Sequence, residues 1–500
     1  MNRKKIAFES ALIALALVVA FVVQLILSHT KPPKLPDFER SSDVSVELET
    51  DIELATGNVD TADSEIKVPI DFQSNLSSLG LSPDWSELDR FQRKVSREQF
   101  VTLLTGVYVK GDFWNRWFEV QEDYVDIQTS AQDPSQTYRV YFQNDVEGGS
   151  QTQGAYWRSR EQIRSAGQLS DSTLPLRGVK LAIDPGHIGG AYAQVEQRKF
   201  VLSEEYPPVQ EGDMTLLVAE KLQYQLETLG ADVSLVRVAT EPVNPFTADD
   251  YLEYAKLKLE SQGALLSQLG VKSEAERLFY RNGEIRARAN LINDVIQPDV
   301  VLCLHFNAAG QADPDAPELL DREHFHILLN GAYTEPELAN DDERFQCVLK
   351  ILENVFSEEI KLSSHLVTSF VGETGLPAYE YSPGSLRAVK LSDDAFVWGR
   401  NLLANRLYDC PVIFFEPYLM NGADSFPRMQ IGDYEGLRYV NGKLRPSIYR
   451  EYVDAVVRGL VNYYTEQVSD NVTIEQPRVP NDTEGVLEEG VGASGEEIVR

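Results

Sequence analysis

From Val179 onward, short apolar runs alternate with longer segments whose apolar residues recur at helical spacing. Such alternation predicts an α/β domain with a mostly parallel, twisted sheet flanked by helices, over residues 176–465. The predicted strands are 179–183, 233–236, 300–304, 325–329 and 411–415, and the predicted helices are 214–229, 284–296, 345–360 and 447–464.

Three of the apolar runs end in a side chain that can take part in catalysis. His187 follows the first run after a Pro-Gly break, His305 ends the second, and Glu416 ends the third. In open α/β sheets, functional groups gather at the carboxyl ends of the strands. We therefore expect two imidazoles and one carboxylate to lie close together.

Glu211 is a candidate for a metal ligand beside His187 and His305. Imidazole is the commonest ligand for zinc, and a catalytic zinc ion typically takes three protein ligands. Glu211 stands just before the predicted helix that starts at Met214. It could equally cap that helix, because acidic side chains are favoured at helix N-termini. The residue pattern leaves both roles open.

Five segments of the chain, in order, carry a resemblance to a known family. They are Ile183-Asp184-Pro185-Gly186-His187, Glu211-x-Asp213, Arg288 through Ile292-Asn293, Leu304-His305-Phe306-Asn307-Ala308 and Phe415-Glu416-Pro417-Tyr418-Leu419-Met420-Asn421. Together they resemble the zinc-dependent N-acetylmuramoyl-L-alanine amidases of the cell-wall type. The resemblance extends over residues 178–465.

The resemblance implies that His187, Glu211 and His305 bind Zn²⁺ and that Glu416 is the catalytic acid/base. It implies hydrolysis of the amide bond between N-acetylmuramic acid and L-alanine in peptidoglycan, for cell-wall remodelling or daughter-cell separation. Peptidoglycan would be the substrate, and a protein activator a further partner. Two alternatives stay open, a zinc peptidase that acts on stem peptides and a catalytically inactive wall-binding or regulatory protein on the same fold.

The chain departs from the family's pattern at three places. Ile188 stands where the family usually has glycine, and Gly212 replaces the usual basic residue. At 415–419, Phe-Glu-Pro-Tyr-Leu replaces the usual Glu-Gly-Phe-Leu pattern. These changes touch loop shape or the substrate groove and leave all four implied site residues in place.

Residues 1–28 predict a transmembrane anchor. Three basic residues precede an apolar run from Ser10 to Leu27, which at about 1.5 Å per residue just spans a bilayer core of about 30 Å. A cleaved signal is the alternative, and the protein would then be secreted. The basic flank places the rest of the chain in the periplasm or another extracytoplasmic space, so the inner or cytoplasmic membrane is a predicted partner.

Composition divides the remaining chain into three parts. Residues 29–84 and 466–500 are rich in acidic residues and poor in aromatic ones, which predicts a disordered linker and a disordered tail. Residues 85–175 predict a small α+β module of unknown role. Its predicted elements are a helix at 86–104 and strands at 113–118 and 138–142.

Net charge and cysteine content exclude two classes of protein. The formal net charge is −32, from 46 basic and 78 acidic side chains, so the chain lacks the basic surface that nucleic-acid binding requires. Three cysteines, Cys303, Cys347 and Cys410, are too few for a disulfide scaffold. Buried free thiols are expected, with one bridge between two of them as the alternative.

Three further features have expected supporting roles. His324 and His326 alternate along one strand and so share a face, either as ordinary strand residues or in a groove. Asp184 is expected to hold its loop by bonding to its own downstream backbone. Asn307 is expected to hydrogen-bond to a ligand or to the substrate.

The connection at 240–283 is longer than the usual limit of about 12–15 residues. The spacing of its apolar residues predicts one or two amphipathic helices. One interpretation is a decoration packed on the far side of the sheet. The alternative hypothesis is a lid that leans over the metal groove until the wall substrate or a partner displaces it.

Overall fold

The computed structural model describes residues 72–143, 156–169, 173–310, 317–382 and 384–466. The predicted anchor at 1–28 and all but the ends of the predicted linker and tail lie outside these residues. Among the residues that are described, no helix is both long and apolar enough to cross a membrane.

A seven-stranded sheet forms the centre of the α/β domain. In spatial order its strands are Val389–Lys390, Val397–Gly399, Phe325–Leu329, Val412–Pro417, Val300–Leu304, Lys180–Pro185 and Asp232–Leu235. The last four of these run parallel to one another. The predicted mostly parallel sheet is therefore confirmed, with two antiparallel pairings. Phe325–Leu329 runs antiparallel to Val412–Pro417, and Val389–Lys390 runs antiparallel to Val397–Gly399.

Helices cover both faces of this sheet. Alternate residues of a strand point to opposite faces, and Leu181 lies in one hydrophobic core whereas Ala182 lies in the other. The first core contains residues of the long helices Glu211–Thr228, Val355–Thr374 and Ile448–Thr465. Burial on both faces explains why the central strands are almost continuously apolar.

The remaining helices and strands are shorter. The other α-helices are Arg97–Leu103, Arg160–Ser165, Leu252–Ser261, Gln268–Arg277, Glu284–Asn290, Glu335–Leu338, Asp341–Glu353, Leu403–Leu407 and Ser425–Ile431. The 3₁₀ or π segments are Trp85–Phe91, Leu104–Tyr108, Asp112–Arg116, Gly190–Tyr192, Ala248–Tyr251, Leu278–Gly283 and Leu291–Ile296. The other strands are Phe118–Val120, Tyr124–Gln128, Thr137–Tyr141, Lys199–Phe200, Val209–Gln210, Arg438–Val440 and Lys443–Arg445.

Two predicted helices are interrupted, each at a residue with a left-handed backbone. The predicted helix 345–360 is divided into two helices at Asn354, whose φ is 54°. The predicted helix 86–104 is broken at Arg93, whose φ is 60°. Its second half starts afresh at Ser96, whose side chain accepts a hydrogen bond from the Gln99 N–H as an N-cap. Apolar spacing alone predicted one continuous helix because it does not register such breaks.

The segment before residue 143 forms a three-stranded antiparallel sheet with short helices. The predicted strand 113–118 is wrong, because Asp112–Arg116 is a 3₁₀ turn and the strand begins at Phe118. Buried aromatic residues of this segment, including Phe91 and Phe100, share a core with the Asp341–Glu353 helix. The small module therefore packs directly on a helix of the α/β domain.

All three cysteines are free and buried, as expected. Cys303 and Cys410 lie in the core on one face of the sheet. Cys347 lies in the core shared by the small module and the Asp341–Glu353 helix. Their packing is that of small apolar side chains.

Gly459 provides a test of how closely the two helices Val355–Thr374 and Ile448–Thr465 pack. A Cβ atom at Gly459 would lie 2.9 Å from Leu366 Cα and 2.8 Å from Leu366 Cδ2. We expect Gly459→Ala to lower the free energy of unfolding by about 1–3 kcal/mol through overpacking. Gly372→Ala, in the same pair of helices, meets no atom within 4 Å and should raise it by up to about 1 kcal/mol through helix propensity. Denaturant unfolding measures both, and equal effects would contradict the close packing.

Candidate functional site

Three adjacent parallel strands bring His187, His305 and Glu416 to one edge of the sheet. Pro185 pairs with Leu304, and Leu304 pairs with Phe415. The residues that follow these paired positions therefore lie at the same level of the sheet. All three side chains line one cavity of about 490 Å³. The two imidazoles and the carboxylate therefore lie close together, as the sequence predicted.

His187 occupies a strained position in the loop after the first strand. Its φ is 60°, in the left-handed region that non-glycine residues rarely adopt and that is concentrated at functional sites. Its Nε2 atom lies 3.2 Å from Glu211 Oε2, and its Nδ1 atom lies 3.4 Å from Glu196 Oε1. Burial lowers the pKa of His187, which favours the neutral imidazole.

Glu196 is a site residue that the sequence analysis missed. Its buried carboxylate accepts hydrogen bonds from the Ile188 and Gly189 N–H groups, at 2.9 Å and 3.3 Å, and faces His187 Nδ1. A carboxylate in this position fixes the tautomer and orientation of a ligating histidine. Glu196 lies in a turn without any periodic or motif signal, so no pattern marked it.

His305 stacks on an aromatic ring, and its imidazole packs against a glycine that has no side chain to block it. Its ring stacks on Phe414 with centroids 4.1 Å apart. A Cβ atom at Gly186 would lie 2.3 Å from His305 Cε1, so this close approach requires glycine. His305 Nδ1 lies 3.0 Å from Glu211 Oε1.

Glu211 begins the long helix Glu211–Thr228 but turns its carboxylate toward the histidines. Its Oε1 accepts the Phe306 N–H at 3.1 Å. Burial tends to raise the pKa of Glu211, but electrostatic interactions with His187, His305 and Arg198 and a hydrogen bond with His305 lower it to about 2. Glu211 lies in the first turn of its helix and also faces both histidines, and its role as a metal ligand stays a prediction.

The donor set of His187, Glu211 and His305 fits a metal ion. One ligand atom from each of the three lies within 4.8 Å of the others. An ionised carboxylate and a neutral imidazole are the protonation states that metal binding needs. The Arg198 Nε–H group points at the same place, 3.1 Å from His187 Nε2 and 3.3 Å from Glu211 Oε2. The lone pairs of His187 and Glu211 thus converge on a point that a positively charged group occupies.

Glu416 lines the same cavity as this donor set, near the end of the Val412–Pro417 strand. Burial raises the pKa of its carboxyl group to about 7. The two carboxylates of the site therefore differ, because Glu211 is ionised at neutral pH whereas Glu416 can gain or lose a proton there. Such a separation of pKa values is typical of an acid/base group beside a ligand.

Asp184 does not bond to its own downstream backbone, and the prediction of that role is wrong. Its carboxylate accepts hydrogen bonds from Arg288 Nη1 at 2.7 Å and from the Tyr408 hydroxyl at 2.6 Å. Arg288 in turn donates to the Pro185 and His187 carbonyl oxygens. A buried ion pair with a distant helix therefore holds the loop.

His324, His326 and Asn307 are not part of the donor set. The two histidines lie beside Tyr379, with ring centroids 4.7 Å and 4.8 Å away, and burial lowers the pKa of His326 to about 3. Asn307 Oδ1 accepts the N–H of its neighbour Ala308 at 2.7 Å. The sequence favoured ordinary strand positions for the histidines, which agrees with these contacts.

The connection at 240–283 lies at the edge of the sheet that carries the site, and a position on the far side is wrong. Tyr254 and Phe279 of this connection share a small core with Ile188, the residue after His187. Tyr280 and Arg281 line the cavity. The lid hypothesis stays a prediction.

Four arginines from separate segments also line the cavity, and the sequence analysis singled out only Arg288 among them. They are Arg198, Arg281, Arg288 and Arg400. Arg198 follows the His187 loop, Arg281 belongs to the Leu278–Gly283 segment, and Arg400 follows the Val397–Gly399 strand. Isolated arginines in loops carry no sequence signal until the fold brings them together.

No protein-family model matches the chain, and no curated protein is similar to it in sequence. The structure is similar to the N-acetylmuramyl-L-alanine amidase Ami1 from Mycobacterium smegmatis, with 12% identity and a TM-score of 0.33 over 58% of this chain and 99% of that one. It is similar to the CwlD amidase from Clostridioides difficile, solved in complex with the GerS lipoprotein, with 12% identity and a TM-score of 0.32 over 57% and 98% of the two chains. The amidase AmiC2 of Nostoc punctiforme gives 12% identity and a TM-score of 0.31 over 58% and 98%. These solved structures, to which the chain is similar, are all described as amidases, and two of them as N-acetylmuramoyl-L-alanine amidases.

Proposed function

We propose that this protein is a zinc-dependent amidase that hydrolyses the bond between N-acetylmuramic acid and L-alanine in peptidoglycan. The observation that carries the proposal is the arrangement of His187, Glu211 and His305 beside Glu416 in one cavity. This is the donor number of a catalytic zinc site, with a titratable carboxylate in the same cavity.

In this proposal His187, Glu211 and His305 hold the ion and Glu416 handles protons. When bound, zinc supplies Lewis-acid activation of water and of the amide carbonyl. The Glu416 carboxylate accepts the proton of the attacking water and then donates it to the leaving amine nitrogen. A pKa of about 7 suits both half-steps, because neither protonation state is strongly disfavoured at neutral pH.

The order of the sequence segments favours an amidase over the two alternatives. An inactive wall-binding protein has no need for a ligand set together with a raised-pKa carboxylate, and this chain keeps all four residues. A zinc peptidase could use the same set, so the product distinguishes them. An amidase releases intact stem peptides from wall sacculi, whereas a peptidase cleaves within the peptide.

We infer an extracytoplasmic location from the same substrate. The apolar run from Ser10 to Leu27 follows three basic residues and supports an anchor with the catalytic domain outside the cytoplasm. A protein activator belongs to this proposal as a further partner.

Replacing Glu416 should separate catalysis from metal binding. We expect Glu416→Gln to lower turnover of purified sacculi at least about a hundredfold, the usual contribution of a general acid/base, while bound zinc stays near one equivalent per chain. His187→Ala and His305→Ala should lose both zinc and activity, since each leaves only two ligands. Elemental analysis and chromatography of released peptides measure the two properties. Loss of zinc in Glu416→Gln would show that the roles are assigned wrongly.

Glu196→Gln tests the buried carboxylate behind His187. We expect zinc affinity to fall about 10–100-fold, because the histidine loses the charge that orients its ring. Competition with a chromophoric chelator gives the affinity. Glu205→Gln makes the same charge change at an exposed residue of the neighbouring loop and should leave the affinity unchanged. Equal affinities for the two variants would exclude a positioning role for Glu196.

The membrane proposal is tested by fractionation. We expect the full-length protein to stay with membranes after an alkali wash and to be digested by a protease added from the outer side. Sequencing of the N-terminus is the control. A soluble form that begins near residue 30 would identify the apolar run as a cleaved signal instead.

A further inference from the structure

Two arginines of the cavity lack a carboxylate partner in the protein. Arg288 is neutralised by Asp184 and Glu284, and Arg198 contacts Glu211. For Arg281 and Arg400, no carboxylate lies within ion-pair distance anywhere in the described part of the chain. Both line the same cavity as His187 and Glu416.

The Arg281 and Arg400 guanidinium groups are close enough to act on each other, and Arg400 also hydrogen-bonds to Tyr381. After burial, repulsion from Arg277, Arg198 and Arg400 contributes to lowering the pKa of Arg281. Like charges gathered around one cavity destabilise the unliganded protein, and a bound anion removes that cost. The chain as a whole is strongly acidic, with a formal net charge of −32. An acidic substrate therefore needs a local region of positive charge in order to bind.

We propose that Arg281 and Arg400 form a subsite that binds a carboxylate of the substrate next to the scissile amide. This inference rests on the proposed amidase function and specifies the substrate as one with an acidic residue in the peptide part. A planar guanidinium group can donate two parallel hydrogen bonds to a carboxylate, which gives orientation as well as affinity. Carboxylate binding at this subsite would orient the amide between the ligand set and Glu416.

The two arginines reach the cavity from different directions. Arg281 lies in the Leu278–Gly283 segment at the end of the 240–283 connection. Arg400 follows the Val397–Gly399 strand, and its backbone N–H donates to the Leu329 carbonyl at 2.9 Å. In this proposal the 240–283 connection supplies a substrate contact through Arg281, independently of whether it also acts as a lid.

Equilibrium binding of a product-like peptide tests the subsite without turnover. The probes are L-alanyl-D-glutamate and its diamide, titrated by calorimetry into the full-length, zinc-loaded protein. We expect the dipeptide to bind at least about tenfold more tightly than the diamide, the scale of a charge-assisted hydrogen bond. Arg281→Gln or Arg400→Gln should each remove most of that difference.

Arg277→Gln is the matched control. It makes the same charge change one helical turn away, but Arg277 is paired with Glu274 at 2.6 Å and does not line the cavity. We expect its preference for the dipeptide to stay within about twofold of the wild-type value. The preference of the wild type should also weaken with added salt, and Arg281→Lys should retain part of it. These two measurements remain informative if a glutamine variant does not fold.

Three results would overturn the subsite. They are equal binding of both peptides to the wild type, a preference that persists in both glutamine variants, and a preference that disappears only with zinc chelation. The last would assign the carboxylate to the metal. If the predicted pattern appears but no stem peptide is released from sacculi, the subsite stands and the amidase proposal fails.

Discussion

The site depends on the ion pairs and hydrogen bonds that the Arg288 guanidinium group makes. This group is buried and makes hydrogen bonds to Asp184, to Glu284 and to the carbonyl oxygens of Pro185 and His187. A buried charge is stable only when it is paired and its donors are satisfied, and removal of one partner typically costs about 3–5 kcal/mol. The bonds join the end of a central strand, the His187 loop and the Glu284–Asn290 helix into one rigid unit. A histidine with a strained backbone can be maintained only by such surroundings.

The same unit explains two departures from the family's sequence pattern. Ile188 is fully buried against residues of the 240–283 connection, so an apolar side chain replaces glycine where extra helices cover the loop. Gly212 has no room for a side chain, since a Cβ atom there would lie 2.3 Å from Gly189 N. Glu284 also accepts the Val243 and Asn244 N–H groups of the connection. The connection and the loop therefore form one structural assembly.

Two glutamates perform different tasks in the proposed chemistry because their surroundings differ. Glu211 is surrounded by His187, His305 and the Arg198 guanidinium, which keep it ionised. Burial raises the pKa of Glu416 to about 7, and the negative charge of Glu211 contributes to that rise. The arginines on the other walls bring positive charge to an otherwise acidic molecule. In the proposed chemistry, metal binding, proton transfer and recognition of an acidic substrate therefore fall to different residues of one cavity.

The sequence by itself determined the α/β class and the positions of His187, His305 and Glu416, because strands are local and the ends of parallel neighbours meet at one edge. Glu211 could be proposed as a ligand from the ordered segments, but only the tertiary structure shows that its carboxylate faces both histidines. The tertiary structure alone decided the partners of Asp184, one of which, Tyr408, lies 224 positions away. It also decided that Glu196, Arg281 and Arg400 border the site. Such contacts depend on how distant segments pack, and a single side chain in a loop leaves no periodic signal in the sequence.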